Sequence, residues 1–176
     1  MKFFRNFIII CLLGLLYSSC AKKENYPDVP AITFNSFAAY DYTKYTNDSD
    51  ILTLNFTDGN GDIGYPSSET NPPHDLYVLP LIWDYRSKSY QPWILNNDTF
   101  TFPYNIPYIT PVGNDKELSG LIKVNMGYFL YQNIVNDFTP GMIDTLADPY
   151  NMIFKVWIYD RAGNKSNVLV TPAQKP

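Results

Sequence analysis

The chain has 176 residues, room for one domain and a leader, and carries 17 Asp and Glu against 13 Lys and Arg. That acidic balance excludes a nucleic-acid-binding surface, which calls for clustered cations. With Cys11 and Cys20 its only cysteines and His74 its only histidine, the chain has neither a disulfide framework nor a two-histidine zinc centre.

The first nineteen residues differ from the rest. Lys2 and Arg5 supply positive charge, an apolar run from Phe7 to Tyr17 follows, and Ser18 and Ser19 precede Cys20. Charge, apolar core and small residues in that order predict a secretory signal peptide over 1–19. The apolar run is too short for a spanning helix, which needs about twenty residues. Lys2 and Arg5 leave with the leader, so the remaining chain holds 11 basic against 17 acidic residues, a net charge near −6. Anionic lipid headgroups would repel such a surface.

Cys11 falls in the leader, which leaves Cys20 as the single exported cysteine, without an intramolecular disulfide partner. The stretch Leu16-Tyr17-Ser18-Ser19-Cys20 resembles the lipobox of bacterial lipoproteins, with Tyr17 where an aliphatic residue is usual. The resemblance implies cleavage before Cys20 and lipidation of its sulfur and amine with palmitate-type chains. Two acyl chains already suffice for stable anchoring. From Ala21 to Pro30 (AKKENYPDVP) the chain is polar and interrupted by Pro27 and Pro30, so 20–30 reads as lipidated cysteine and tether. The same resemblance places the protein in the bacterial cell envelope, at the outer membrane. In Bacteroidetes an acidic stretch after the cysteine accompanies export to the outer face. Here the residues are Ala21, Lys22, Lys23 and Glu24, and both the periplasmic and the surface face stay open.

Residues 31–176 read as strands joined by turns. Ala31–Ala38 opens the domain, and Ile51–Phe56 alternates apolar and polar positions as a half-buried strand does. Leu76–Tyr85 is longer, and Pro80 within it demands an edge position or a bulge. Tyr90–Leu95, Thr99–Tyr104 and Leu121–Phe129 follow, and Met152–Tyr159 with Asn167–Thr171 form a closing hairpin. Pro103–Pro111 predicts an irregular loop or an edge, and Tyr128–Phe138 is the one stretch able to form a helix. About seven short strands with turn-rich links predict an all-β, antiparallel β-sandwich.

The sharpest local signal is Asp58-Gly59-Asn60-Gly61-Asp62-Ile63-Gly64, directly after a strand. Oxygen-bearing side chains at alternate positions can curl round a hard cation, and calcium takes six to eight oxygens. Glu69 stands where an EF-hand loop keeps its bidentate carboxylate, although Ile63 occupies the glycine slot and Pro66 obstructs a following helix. The alternative is a tight turn whose Asp and Asn side chains bond their own backbone. Asp160 is the carboxylate from elsewhere in the chain best placed to join Asp58, Asn60, Asp62 and Glu69, because loops at one end of a sandwich cluster.

Tyr77, Trp83, Tyr85, Tyr90 and Trp93 crowd one region, with Tyr104 and Tyr108 beyond. They could form a platform for a glycan or a peptide, or they could be strand-face packing. His74 adjoins Asp75 in a Pro-flanked loop, but neither a nucleophile elbow nor a marked carboxylate pair accompanies it. We assign no catalytic residue.

Asp160-Arg161-Ala162-Gly163-Asn164-Lys165-Ser166 resembles the D-x-A-G-N-x-S turn joining the last two strands of many bacterial immunoglobulin-like and fibronectin-type-III-like domains. With the lipobox and the Asp58–Gly64 loop, it makes the chain similar to a group of uncharacterised Bacteroidetes-type lipoproteins. The resemblance implies an immunoglobulin-like sandwich behind a lipid anchor and carries no catalytic residues. The expectation is a non-catalytic binding or assembly module of the envelope, with a protein or glycan partner. The rivals are a carbohydrate-binding accessory protein or glycan-active enzyme, and a calcium-stabilised structural lipoprotein.

Overall fold

The computed structural model of the protein describes residues 25–38, 49–92, 94–95, 98–111, 116–127 and 147–174. The expected leader, Cys20, Trp93 and the stretch 128–138 lie outside them. Among the described residues no helix is long and apolar enough to cross a membrane.

The described residues are all-β. The first sheet contains β1 (Ala31–Ala38), β2 (Ile51–Asp58) and β8 (Leu118–Asn125), in the order β1-β2-β8. The second contains β3 (Leu76–Asp84), β4 (Ser89–Pro92), β9 (Ala147–Ile158) and β10 (Leu169–Val170), in the order β10-β9-β3-β4. A short strand β7 (Phe102–Tyr104) also pairs with β3, and β5 (Ile94–Leu95) with β6 (Asp98–Thr99) makes a separate ribbon. Every strand pairing is antiparallel.

Period-two alternation decides which side chains are enclosed. Leu52, Leu54 and Phe56 on β2 and Ile122 and Val124 on β8 turn inward from the first sheet. Leu76, Val78 and Ile82 on β3 and Met152, Phe154, Val156 and Ile158 on β9 meet them from the second. The two sheets thus share one core, the layout of a β-sandwich. Each such side chain contributes about 1.5–3 kcal/mol on burial, and at this chain length the core needs no covalent staple.

Three departures from the predicted strands have local causes. Pro80 is not on an edge, since β3 pairs with β9 throughout. On its other side, however, β7 stops opposite Val78 and β4 starts opposite Leu81, which leaves Leu79 and Pro80 unpaired there. The gap does the work of an edge. β8 runs Leu118–Asn125 rather than Leu121–Phe129, because the whole length of β2 recruits it, from Asp58↔Leu118 to Ile51↔Asn125. Gly120 is a weak strand former, yet a Cβ there would press on the Phe56 ring, so its place in β8 is set by packing. β9 begins at Ala147, five residues earlier than predicted, after a register shift opposite Ile82 and Trp83.

The closing hairpin forms as expected, with Val156↔Leu169 and Lys155↔Val170. The Pro-rich segment starts as the edge strand β7 and continues as irregular chain that touches the rest through a Tyr65↔Pro107 bridge.

Candidate metal centre

The alternation of β2 continues past its apolar residues. After Leu52, Leu54 and Phe56 the next inward position is Asp58, which is 0% exposed. β9 does the same in the other sheet, where Met152, Phe154, Val156 and Ile158 lead to Asp160, 2% exposed. Each strand therefore delivers a carboxylate to the same end of the core.

The loop after β2 folds back on Asp58. The Asp62 amide donates to Asp58 Oδ2 at 2.9 Å. Gly61 supplies the reversal at φ 66, where a side chain would strike the Lys116 carbonyl. The loop after β9 is built on Asp160. The Asn164 amide donates to Asp160 Oδ1 and the Asn164 Nδ2 to Asp160 Oδ2, both at 2.7 Å. Ser166 completes the turn by accepting from the Ile158 amide at its Oγ. The two loops are then stitched together. Ala162 N donates to Asp62 Oδ2 at 3.1 Å, Arg161 N to the Asp62 carbonyl at 3.1 Å, and Arg161 Nη1 to the Gly64 carbonyl at 2.8 Å.

This stitching gathers Asp58, Asp62 and Asp160, with one carboxylate oxygen from each lying within 4.8 Å of the others. Oxygens sharing one calcium at about 2.3–2.6 Å are at most roughly 5 Å apart, so the spread fits. Self-capping turns do not account for all the oxygens. Asp58 Oδ1, Asn60 Oδ1 and Asp62 Oδ1 are buried with no hydrogen-bond partner, and a buried acceptor left unpaired is costly. Burial pushes the Asp58 carboxyl up to about 6, and the charges of Asp62 and Asp160 add to the rise. Asp62 is raised too, by burial first and then by Asp160. Two cations belong to the same turn. Arg161 donates to the Gly64 carbonyl, lies 4.8 Å from the Tyr108 ring centroid and offsets part of the rise at Asp62, whereas Lys165 lies over the Trp157 ring. Carboxylates crowded in this way are what a divalent cation relieves.

Of the five predicted ligands, the fold gathers Asp58, Asp62 and Asp160 and leaves Asn60 with an unpartnered oxygen in the same loop. Glu69 does not join them. It is exposed, in a turn where its amide donates to the Pro66 carbonyl. Its EF-hand slot presupposes a helix after the loop, and the chain turns at Pro66 instead.

Among the described residues, the predicted aromatic side chains fall into two groups. Tyr77 stacks on its cross-strand partner Trp157, with ring centroids 5.6 Å apart and planes 8° from parallel, and meets Tyr159 edge-on. Trp83 instead meets Tyr85 and Tyr90 edge-on, and the Tyr90 hydroxyl donates to Asn151 Oδ1. Lys165 places its ammonium 4.6 Å from the Trp157 ring centroid. Trp157, Tyr159 and Lys165 were not among the predicted ligand-binding residues. The pairing of Tyr77 with Trp157 depends on the β3–β9 register, which local sequence does not reveal.

His74 is exposed, with its Nδ1 2.6 Å from Asn105 Oδ1, and makes no hydrogen bond to Asp75. Asp75 is the residue there that sequence reasoning undervalued. It is 1% exposed, accepts from the Ile106 amide at Oδ1 and has no partner at Oδ2. Burial pushes its carboxyl up to about 6.

Comparison with protein-family models, with curated proteins and with solved structures finds no match to this chain.

Proposed function

We propose that the protein is a non-catalytic module of the bacterial cell envelope, an immunoglobulin-like β-sandwich carried on lipid at Cys20, whose membrane-tether end is held by a structural calcium ion. The observation that carries the calcium reading is the cluster of Asp58, Asp62 and Asp160, in which Asp58 and Asp62 each keep a buried oxygen without a partner, as Asn60 of the same loop does. Calcium suits this donor set better than magnesium. The oxygens come from two loops and include an amide, whereas magnesium demands near-ideal octahedral geometry and keeps several waters. Backbone carbonyls and water would complete the coordination.

The immunoglobulin-like assignment is supported by strand order. β1-β2-β8 and β10-β9-β3-β4 correspond to the A-B-E and G-F-C-C′ sheets of such domains. The signal peptide, the lipid anchor and the outer-membrane address rest on the sequence from Lys2 to Cys20.

The test is thermal unfolding of the full chain in detergent, after chelation and again with added calcium. Calcium at about 100 times its dissociation constant stabilises by about 2.7 kcal/mol, or roughly 5–10 °C for a chain of this size. A melting temperature indifferent to calcium would remove the structural-ion reading.

A further inference from the structure

We propose that the cation at this end of the sandwich also fastens the tether to the domain, so that calcium sets how far the domain can stand from the membrane. This rests on the calcium reading above and extends it to the segment between the anchor and β1.

Gly59 lies between Asp58, one of the clustered carboxylates, and Asn60, whose side-chain oxygen is buried without a partner, and is where the tether touches the loop. Its amide donates to the Pro27 carbonyl at 2.9 Å. A Cβ on Gly59 would run into the Tyr26 carbonyl and lie 2.8 Å from the Pro27 carbonyl carbon. Gly59 is not among the glycines with positive φ, unlike Gly61 and Gly64 in the same loop. Its lack of a side chain is therefore demanded by the close approach of the tether rather than by the turn. The segment then runs through Pro30, which is buried, into β1, where Ala31 pairs with Thr57. Asn167 secures the start of β1 by donating to the Ile32 carbonyl and accepting from the Ile32 amide, both at 2.9 Å.

The coupling follows from the shared backbone. A cation bound by Asp58 and Asn60 fixes the peptide between them and holds the Gly59 N–H towards Pro27. Without it, the mutual repulsion of Asp58, Asp62 and Asp160 loosens that peptide and weakens the contact. Ten residues from Ala21 to Pro30 reach at most about 35 Å, whereas the five that remain when Tyr26–Pro30 is docked reach about 18 Å. Calcium would thus halve the leash.

The test uses the lipidated full chain with Asn25→Cys, a substitution just before the docked segment. Lipidation of Cys20 leaves the new thiol the only free one for a nitroxide, and each sample is read by electron spin resonance and by thermal melting, with calcium and with chelator. The expected result is a broadened, immobilised spectrum with calcium, a mobile one with chelator, and a higher melting temperature with calcium. Gly59→Ala in the same background keeps every carboxylate. It should keep the calcium-dependent rise in melting temperature while the nitroxide stays mobile. A melting temperature that rises with calcium while the nitroxide stays equally mobile would overturn the tether coupling and leave the calcium site standing. An immobilised nitroxide in the Gly59→Ala protein would overturn it as well. Absence of any calcium effect on melting would instead remove the reading on which the coupling rests.

Discussion

Asp58 and Asp160 occupy equivalent places in two facing sheets, each being the next inward position after a buried apolar residue, Phe56 on β2 and Ile158 on β9. Strand periodicity, which elsewhere builds the core, here points two acids at each other across its end. The sandwich closes at that end on charge, and charge in a dry place calls for a counter-charge.

The first consequence is a crossover in stability for Asp58→Asn. In chelator the variant is expected to be more stable than the parent, on the order of 1–2 kcal/mol, since the carboxyl raised to about 6 by burial is no longer charged. In saturating calcium the order reverses. Chemical denaturation in both conditions checks this, and a variant that is weaker in both would show that Asp58 serves only its turn.

Asp58→Ala combined with Asp62→Ala is expected to abolish the calcium-dependent rise in melting temperature, whereas Glu69→Ala leaves it intact, because Glu69 is exposed and outside the cluster. A Glu69 variant that lost the rise would place that side chain on the ion after all.

How much of this was legible beforehand can be read from particular residues. The strand Ala31–Ala38 coincides with β1, which starts directly after Pro27 and Pro30 have interrupted the chain. Asp58, Asp62 and Asp160 were legible because glycine-spaced acids directly after strong strands lie at one end of a sandwich. Glu69 lies outside the cluster because EF-hand spacing has meaning only when a helix follows, and here the chain turns at Pro66. Asp75 was obscured by parity. Leu76 beside it is buried, so a strand reading turns Asp75 outward, yet the approach of the Ile106 backbone encloses it. Pro80 signals an edge position or a bulge, and the sequence does not say that β4 and β7 instead divide one flank of β3 between them. Trp157 escaped notice as a partner of Tyr77 because the two are eighty residues apart in sequence and meet only through register.

Asp75 also sets a pH dependence. An unfolded aspartate titrates near 3.8, and burial raises Asp75 to about 6 in the folded chain. Between those values the folded protein holds a proton that the unfolded chain has released, so stability falls as pH rises from about 4 to about 6 and is level above. Asp75→Asn removes that fall. Measured in chelator, it should gain on the parent by roughly 2 kcal/mol at pH 7 relative to pH 4. A constant difference at all pH values would mean that Asp75 ionises normally.

On the outer face of the second sheet, Lys165 lies over Trp157, which stacks on Tyr77. Lys165→Gln is expected to cost about 0.5–1 kcal/mol in chemical denaturation, as befits rings that pack on one another. Were these rings a glycan platform instead, Trp157→Ala would abolish retention on a glycan array while leaving the melting temperature unchanged.

Calorimetric titration of the unmutated chain with calcium bears most directly on the cluster of Asp58, Asp62 and Asp160. One calcium per chain is expected, with the heat of binding lost in the Asp58→Ala, Asp62→Ala protein. A chain that takes up no calcium, or whose uptake survives the double substitution, would contradict the assignment.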